Sequence, residues 1–341
     1  MDQVARHRLG SSRLEITRLA FGGAPIGNLP VALSDADAVG ALEAAWNAGI
    51  RTFDTAPWYG LGLSEHRMGA FLRNLPREEY VLSTKVGRLL KPWPRHHGPR
   101  LRRGPWADPL DFEVRFDYGY SGIMRSFEDS LQRLGVPEVD VLLVHDLDRV
   151  YHKPESEYFA RLGQLTGSGF DALRDLRAAG IVKAIGVGVN MPGVITDMLD
   201  RFEVDLFLVA GPYTILEQPI LKTELQRCAE MGVGVIIGAA FRYGLIFAGG
   251  RERAASLGVD PAILRRAARL DEVCTRAGMP LAAIALQFPL AHPAVDSVVF
   301  GAVNAHQVAE VMSWFSTAIP PQLWQELKSE GLVAADAPVP D

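Results

Sequence analysis

The chain has 341 residues, 48% of them hydrophobic, and a formal net charge of −5 at pH 7. This small acidic excess gives no electrostatic footprint for nucleic acid or an anionic membrane, so neither is expected as a partner. The N-terminus carries no apolar signal region and no apolar run reaches the length of a membrane span, so a cytoplasmic protein is expected. The sequence leaves open whether it is a monomer or a homodimer.

The chain begins with a predicted hairpin over residues 7–17, whose two alternating arms flank a Gly-Ser-Ser turn. Eight short apolar runs rich in β-branched residues follow. They are continuously apolar, as expected for strands of a sheet that is covered on both faces. The runs are residues 19–22, 50–54, 80–86, 139–145, 182–188, 204–209, 233–238 and 296–300.

Helical patterns separate these runs, and the first has clear end signals. Ser34 is its predicted N-cap, Asp37 lies in its first turn, and Gly49 ends it. Eight βα units in series predict an α/β fold of the (β/α)8 barrel type rather than an open doubly wound sheet. The predicted helices are 34–48, 65–73, 122–134, 170–179, 194–201, 221–231, 263–277 and 307–315, with a further helix at 322–330.

A single domain over residues 1–341 is predicted, with the hairpin at 7–17, the barrel at 18–318 and a C-terminal helix and tail at 319–341. Two insertions, 88–120 and 151–169, follow the third and fourth strands. In a barrel both emerge on the catalytic face, where long loops set substrate choice. The basic stretch 95–103 could bind an anion, but a solvated loop is the favoured interpretation.

Two cysteines and a His-His pair could suggest a metal site. Cys228 and Cys274 each lie in a predicted helix without a metal-ligand neighbour, so free thiols in a reducing compartment are expected. His96 and His97 lack a third ligand at metal spacing, so no metal is predicted.

Polar side chains occupy the carboxyl ends of three successive predicted strands. Asp54 ends the second strand and Tyr59 follows it, while Lys85 and His145 lie at the ends of the third and fourth. Singly, each has an ordinary interpretation, such as a cap, a packed aromatic or a core histidine. Together, a buried lysine would lower the tyrosine pKa from about 10 towards neutrality, and a carboxylate would keep the lysine charged. The four residues therefore predict a proton-transfer site with Tyr59 as its acid/base.

Cofactor signals do not include a G-x-G-x-x-G motif, so a Rossmann site is unsupported. Instead, the eighth strand runs through Gly301, Ala302 and Val303 into a helix, as in a phosphate site at a helix N-terminus. Gly244 and Leu245, after the seventh strand, form a second place where the protein backbone could approach a ligand closely.

These segments resemble the aldo-keto reductases over residues 7–318, on the basis of Phe53-Asp54-Thr55-Ala56, Tyr59-Gly60, Ser64-Glu65, Ser83-Thr84-Lys85 and 140–145. The family fold is a (β/α)8 barrel with an N-terminal hairpin at its base. The resemblance implies that Asp54, Tyr59, Lys85 and His145 form the catalytic tetrad, with His145 orienting the substrate. It also implies an extended nicotinamide dinucleotide. The residues expected to contact that cofactor are Gly22, Asp54, Asn190, Gly244, Leu245, Gly301, Ala302, Val303, Gln307 and Glu310.

Within the family, the chain is most similar to a branch of D-threo-aldose (L-fucose) 1-dehydrogenases, L-galactose dehydrogenases and pyridoxal 4-dehydrogenase. The residues that indicate this branch are Phe116-Asp117-Tyr118, the run 125–135, His145-Asp146-x-Asp148 and the run 210–218. The similarity implies a dehydrogenase that acts on small sugars or on a pyridoxal-like molecule.

The chain departs from common family patterns around the cofactor. Asn190 alone remains of a Ser-Asn pair that holds the carboxamide, Ala210 replaces a glutamine, and Gly238 or Ala239 replaces a stacking tyrosine. Gly301, Ala302 and Gln307 stand where NADP-preferring relatives place cations around the 2′-phosphate. A preference for NAD over NADP is therefore expected, with Glu310 as an acceptor for the ribose or a contact to the adenine.

The resemblance implies an NAD(P)-dependent enzyme that oxidises a cyclic hemiacetal at C1 to a lactone. The expected substrates are aldoses such as L-fucose, D-arabinose or L-galactose, and the expected contacts are Trp58, Tyr59, Trp93, Trp106 and His145. Pyridoxal as its internal hemiacetal, or general aldehyde and ketone reduction, are alternatives. A cofactor-sensing binding subunit, and a Schiff-base lyase using Lys85, are alternatives from other classes.

Overall fold

The computed structural model describes residues 5–94 and 104–340, so the basic stretch 95–103 lies outside the described residues. Eight parallel strands close into a barrel, so the predicted (β/α)8 barrel is confirmed. Its strands are β3 (Leu19–Gly22), β4 (Thr52–Asp54), β5 (Val81–Val86), β8 (Val141–His145), β9 (Ala184–Val189), β10 (Leu206–Ala210), β11 (Gly234–Gly238) and β12 (Val295–Phe300). Their order around the barrel is β10-β11-β12-β3-β4-β5-β8-β9.

Four barrel strands begin two residues later than predicted. The residues at the predicted starts, Ile50, Val139, Val182 and Val204, are all buried but do not pair in the barrel ladder. Their apolar character reflects packing beneath the helices, which a sequence pattern cannot distinguish from strand pairing.

Helices surround the barrel, and the first has the predicted cap, because the Ser34 side chain accepts a hydrogen bond from the backbone N–H of Asp37. The helices are α1 (Asp35–Asn47), α2 (Leu63–Leu72), α3 (Tyr120–Leu134), α4 (Glu155–Gln164), α5 (Phe170–Ala178), α6 (Val194–Leu199), α7 (Gln226–Met231), α8 (Ala248–Ser256), α9 (Pro261–Arg276), α10 (Leu281–Gln287), α11 (Ala305–Ser316) and α12 (Pro321–Ser329).

The N-terminal hairpin, β1 (Arg6–Arg8) and β2 (Glu15–Thr17), closes the base of the barrel. Leu9 and Leu14 pack into the cluster of side chains that fills the barrel interior. Gly10 has a φ of +50°, and a Cβ there would lie 2.5 Å from the backbone nitrogen of Gly234. Only glycine allows the hairpin to approach the barrel this closely.

Several elements were not predicted. A second hairpin, β6 (Arg88–Pro92) and β7 (Phe112–Phe116), lies in the first insertion, and α4 lies in the second. The α8 helix buries only Ala254, whereas every residue of α10 is buried. Neither helix therefore has the one-sided apolar stripe by which a sequence reveals a helix. The predicted helix 221–231 starts instead as a π-helical turn, Leu221–Leu225.

None of the helices in the described part of the chain is by itself long and apolar enough to cross a bilayer. The pair Pro261–Arg276 and Leu281–Ala291 meets the length and composition criteria only when counted together, across a bend of 108°.

Candidate active site

Three of the predicted site residues lie together because their strands are neighbours in the barrel. Asp54 is the last residue of β4, Lys85 the next to last of β5, and His145 the last of β8. All three side chains lie at the carboxyl end of the barrel, and each residue is exposed by 4% or less. This is the end at which barrels of this type carry their active sites.

Tyr59 reaches the same point from the loop after β4. It begins a short 3-10 turn, Tyr59–Gly62, in which Gly60 has a φ of +65°. A Cβ on Gly60 would lie 2.6 Å from the carbonyl oxygen of Gly27, so the turn requires glycine. The turn brings the Tyr59 ring to 5.8 Å from the His145 ring, nearly perpendicular to it.

Lys85 links the residues of this group. Its Nζ lies 2.6 Å from Asp54 Oδ2, 2.9 Å from the carbonyl oxygen of Thr55 and 3.1 Å from the Tyr59 hydroxyl. The other oxygen of Asp54 accepts a hydrogen bond of 3.0 Å from Ser83. An ammonium group has three protons, so these contacts use all of them. The Tyr59 oxygen therefore accepts from Lys85 and keeps its own proton for another partner.

The pKa of Tyr59 differs from the expectation. Burial raises it to about 12, although the Lys85 ammonium lowers it. The expected value near neutrality is wrong for the protein alone, because Asp54 offsets the charge of Lys85 while the buried phenolate loses its hydration. Burial acts to lower the pKa of Lys85 itself, but Asp54 and Tyr59 outweigh it and raise that pKa above 10.5. An amine held so firmly as an ammonium is poorly suited to Schiff-base formation.

His145 is neutral at pH 7, because burial, Arg88 and Lys85 together hold its pKa well below 6.5. Its backbone carbonyl accepts a hydrogen bond of 2.9 Å from the hydroxyl of Tyr118, which also lies 3.0 Å from His152 Nε2. Tyr118 thus anchors the end of β8 from the first insertion. The His145 Nδ1 atom is buried and has no hydrogen-bond partner among the described residues.

A buried charged network beside His145 was not predicted. Arg88 forms an ion pair with Asp146, and both side chains are at least 92% buried. Asn190 Nδ2 donates to Asp146 Oδ1 at 2.7 Å and to Asp148 Oδ2 at 2.8 Å. The sequence signal was present as the His145-Asp146-x-Asp148 motif and as a cation directly after an apolar strand. The contact between them could not be predicted, because it joins residues 58 positions apart.

A cavity of about 430 Å³ is lined by three of the four predicted residues, Asp54, Tyr59 and His145. Trp58, Tyr59, Trp106 and His145 line it, and the two indoles pack edge to face with centroids 5.6 Å apart. Trp93 is not among the described residues that line this cavity; its backbone N–H bonds to Asp111 in the second hairpin. Two of the three tryptophans that were predicted to contact the substrate therefore line the cavity.

The cavity extends away from Tyr59 along small residues. Gly22 and Gly301 line it, and Gly244 lines both this cavity and a second of about 680 Å³. At Gly244 a Cβ would meet no other atom within 4 Å, so the protein leaves open space beside this backbone. Leu245 and Arg253 line the second cavity. The two cavities share Gly244 in their walls, and together they offer space and a cation for an extended dinucleotide.

The remaining predicted cofactor residues lie at the start of α11. Ala302 is fully buried, and the Val303 N–H donates to the side chain of Gln307 at 3.0 Å. Glu310 lies 3.9 Å from the imidazole of His306 on the same helix. None of these four predicted residues lines either cavity, and two of their polar groups already bond to each other.

Within residues 5–94 and 104–340, no group of three or more histidine, cysteine or acidic side chains could hold a metal ion. Cys228 and Cys274 are buried free thiols, and burial raises the pKa of each to about 12.

Comparison with known proteins identifies the family. A family model described as the Aldo/keto reductase family matches residues 18–330. The chain belongs to this family. Among its relatives is a pyridoxal 4-dehydrogenase of Microbacterium luteolum, 42% identical over 96% of this chain and 98% of the relative. A D-threo-aldose 1-dehydrogenase of Pseudomonas sp is 40% identical over 94% and 95% of the two chains. An L-galactose dehydrogenase of Arabidopsis thaliana is 28% identical over 91% and 88%.

Solved structures give the same fold. A holo-form aldo-keto reductase from Bacillus halodurans has a TM-score of 0.72 at 22% identity, covering 97% of each chain. A glycerol dehydrogenase from Gluconobacter oxydans has a TM-score of 0.71 at 21% identity, covering 100% of this chain and 98% of the other. Family membership and the dehydrogenase relatives make this aldo-keto reductase an NAD(P)-dependent oxidoreductase that acts on a small molecule.

Proposed function

We propose that this aldo-keto reductase oxidises the anomeric hydroxyl of a cyclic hemiacetal, an aldose first of all, to the lactone with NAD. The observation that carries the proposal is the 3.1 Å contact between Lys85 Nζ and the Tyr59 hydroxyl at the wall of a cavity. A D-threo-aldose 1-dehydrogenase 40% identical over nearly its whole length supports the substrate class.

Tyr59, in its minor phenolate form, takes up the proton of the substrate hydroxyl. Lys85 donates to the phenol oxygen and so stabilises the phenolate, while Asp54 keeps Lys85 charged and fixed. The neutral imidazole of His145 donates a hydrogen bond to the reacting oxygen and orients it. These roles use the only protonation states that the pKa directions of His145 and Lys85 allow at neutral pH.

A nicotinamide dinucleotide held along the small-residue wall would accept the hydride from C1 and, in its oxidised form, would add a positive charge that favours the phenolate. Gly244, beside which a Cβ would meet no protein atom within 4 Å, leaves room for the dinucleotide, and Arg253 provides a cation for its phosphates. Asn190 has used both amide protons, so its remaining carbonyl oxygen is the group available to a carboxamide N–H.

NAD is the preferred cofactor in this proposal. The side chain of Gln307 is neutral and bonds to Val303, and the start of α11 offers no arginine or lysine for a 2′-phosphate. An unpaired phosphate dianion is poorly bound there, whereas a 2′-hydroxyl needs only a neutral or acidic acceptor.

Pyridoxal is the second candidate substrate, favoured by the 42% identity to a pyridoxal 4-dehydrogenase. Its internal hemiacetal carries a hydroxyl and a transferable hydrogen on one carbon, as the anomeric carbon of a cyclic aldose does. The aromatic walls Trp58 and Trp106 suit either a pyridine ring or the apolar face of a sugar.

The test is a panel of L-fucose, D-arabinose, L-galactose, L-glucose and pyridoxal, assayed with NAD by absorbance at 340 nm. We expect at least one aldose to be oxidised with a lactone as product. Turnover of pyridoxal alone supports the second candidate. Absence of NAD- or NADP-dependent oxidation across the panel rejects both.

A further inference from the structure

Asp146 lines the active-site cavity but has no part in the proton transfer assigned to Tyr59. Its Oδ2 lies 3.2 Å from His145 Nε2, and both residues line the cavity. A substrate oxygen bonded to that Nε2 therefore lies within about 6 Å of the Asp146 carboxylate. Polar groups on the substrate carbon next to the reacting carbon can then come within hydrogen-bond distance of the Asp146 carboxylate.

The Asp146 carboxylate retains free acceptor capacity. Arg88 and Asn190 each use one position on it and His145 Nε2 lies beside a third, whereas a carboxylate accepts about four hydrogen bonds. Asp146 also has a φ of +51°, in the left-handed region that few residues other than glycine occupy. This costly backbone conformation at the cavity wall is held in place by the surrounding network.

Arg88 holds the carboxylate in one position. Its side chain is 2% exposed, and its guanidinium lies 4.7 Å from the Trp58 ring centroid and 4.6 Å from that of Tyr151. An arginine enclosed between aromatic rings has little freedom to leave its partner. Asp146 is thus a rigid acceptor at a set distance from His145.

We propose that Asp146 is a specificity-determining residue that accepts a hydrogen bond from a hydroxyl on the carbon next to the reacting carbon. For an aldose this is the C2 hydroxyl. The proposal rests on the proposed function, which it narrows to substrates with a neutral vicinal hydroxyl. Pyridoxal offers no hydroxyl at that position, because the ring carbon bonded to its reacting carbon carries no oxygen, so it gains nothing from this contact.

The experiment compares two sugars that differ only in this group, D-arabinose and 2-deoxy-D-ribose, which is D-arabinose without its C2 hydroxyl. For the wild-type protein with NAD we expect kcat/KM to favour D-arabinose by about 10- to 100-fold, because a site built for a hydroxyl rejects its absence. In Asp146→Asn the preference falls below about threefold, mainly through loss of activity on D-arabinose.

Asp148→Asn is the matched control. Asp148 belongs to the same network, since it accepts from Asn190 and from the Val150 N–H, but it is not among the described residues lining the cavity. Its variant should retain the wild-type preference even if total activity falls. Arg88→Gln/Asp146→Asn serves if the single variant is poorly folded, because it leaves no buried cation unpaired.

Each outcome bears on the proposal. A wild-type enzyme that does not discriminate between the two sugars, or an Asp146→Asn enzyme that keeps the preference, overturns the role of Asp146 and leaves the proposed function standing. Loss of the preference in Asp148→Asn as well as in Asp146→Asn also overturns it. If the wild-type protein oxidises no aldose of the panel, the proposed aldose oxidation and this inference both fall.

Discussion

Lys85 and Asp54 form a buried ion pair across two neighbouring barrel strands, with 2.6 Å between Nζ and Oδ2. Their side chains are 2% and 6% exposed, so neither charge is hydrated by bulk water. Burying an ion pair costs desolvation energy that Coulomb attraction repays only when the geometry is good. The pair therefore indicates a functional role, which is to place an ammonium beside the Tyr59 hydroxyl.

Two variants can separate the contribution of this ion pair to stability from its contribution to activity. Lys85→Met leaves Asp54 buried without a cation and should lower the free energy of unfolding by about 3–5 kcal/mol. Asp54→Asn/Lys85→Met removes both charges and should recover most of that loss in chemical denaturation. Neither variant should oxidise the substrate at a rate near that of the wild type. A double variant as active as the wild type would show that the ammonium is not needed for the reaction.

Tyr59→Phe removes the proton-transfer group and leaves its ring in place. We expect kcat for hemiacetal oxidation to fall by about 10³-fold, with NAD binding, followed by tryptophan fluorescence, changed by less than about threefold. Tyr151→Phe is the control, because Tyr151 lines the same cavity and has no hydrogen bond to Lys85 among the described contacts. Turnover of Tyr59→Phe within tenfold of the wild type would remove Tyr59 from this role.

The pH dependence of oxidation follows from the raised pKa of Tyr59. Burial raises that pKa to about 12, so the phenolate is the minor form and its fraction grows about tenfold for each pH unit below the pKa. We expect kcat/KM to rise from pH 7 to pH 9. Measuring NAD affinity over the same range separates this effect from cofactor binding. A flat profile would mean that proton transfer from the hydroxyl does not depend on a titrating base of this kind.

The barrel and the tetrad were predictable because both are local patterns repeated along the chain. Strands read as apolar runs, and Asp54, Lys85 and His145 each stand at the end of one. Parallel strands then bring these ends to the same edge without any knowledge of tertiary contacts. Only Tyr59 depends on a turn, and the structure shows that this turn requires Gly60.

What escaped prediction depends on contacts between distant residues or on packing. Arg88 meets Asp146, and Tyr118 meets the carbonyl of His145, through a hairpin in the first insertion that carries no regular pattern. The pKa of Tyr59 was misjudged because the sequence gives the charge beside the phenol but not the extent of its burial. Packing also decides which tryptophans reach the cavity.

Cofactor preference can be changed at one position. Gln307→Arg introduces a cation at the start of α11 and should raise kcat/KM for NADP by about 10-fold or more relative to NAD. Gln307→Ala removes the bond to Val303 without adding charge, and should leave the ratio close to that of the wild type. A wild-type enzyme with a tenfold preference for NADP would overturn the proposed use of NAD.

His292 gives the fold a dependence on acid. Its residue is 6% exposed, burial lowers its pKa to about 4, and its Nδ1 accepts a hydrogen bond of 3.2 Å from the Ala294 N–H. Between pH 6.5 and pH 4 the unfolded chain takes up a proton that the folded protein does not. The free energy of unfolding should therefore decrease as the pH is lowered from 6.5 to 4, and His292 should contribute about 3 kcal/mol to this decrease. His292→Asn keeps an acceptor that does not titrate, so denaturation at pH 7 and pH 4.5 should reveal a smaller loss in the variant. Equal losses in the two proteins would show that the acid sensitivity arises elsewhere.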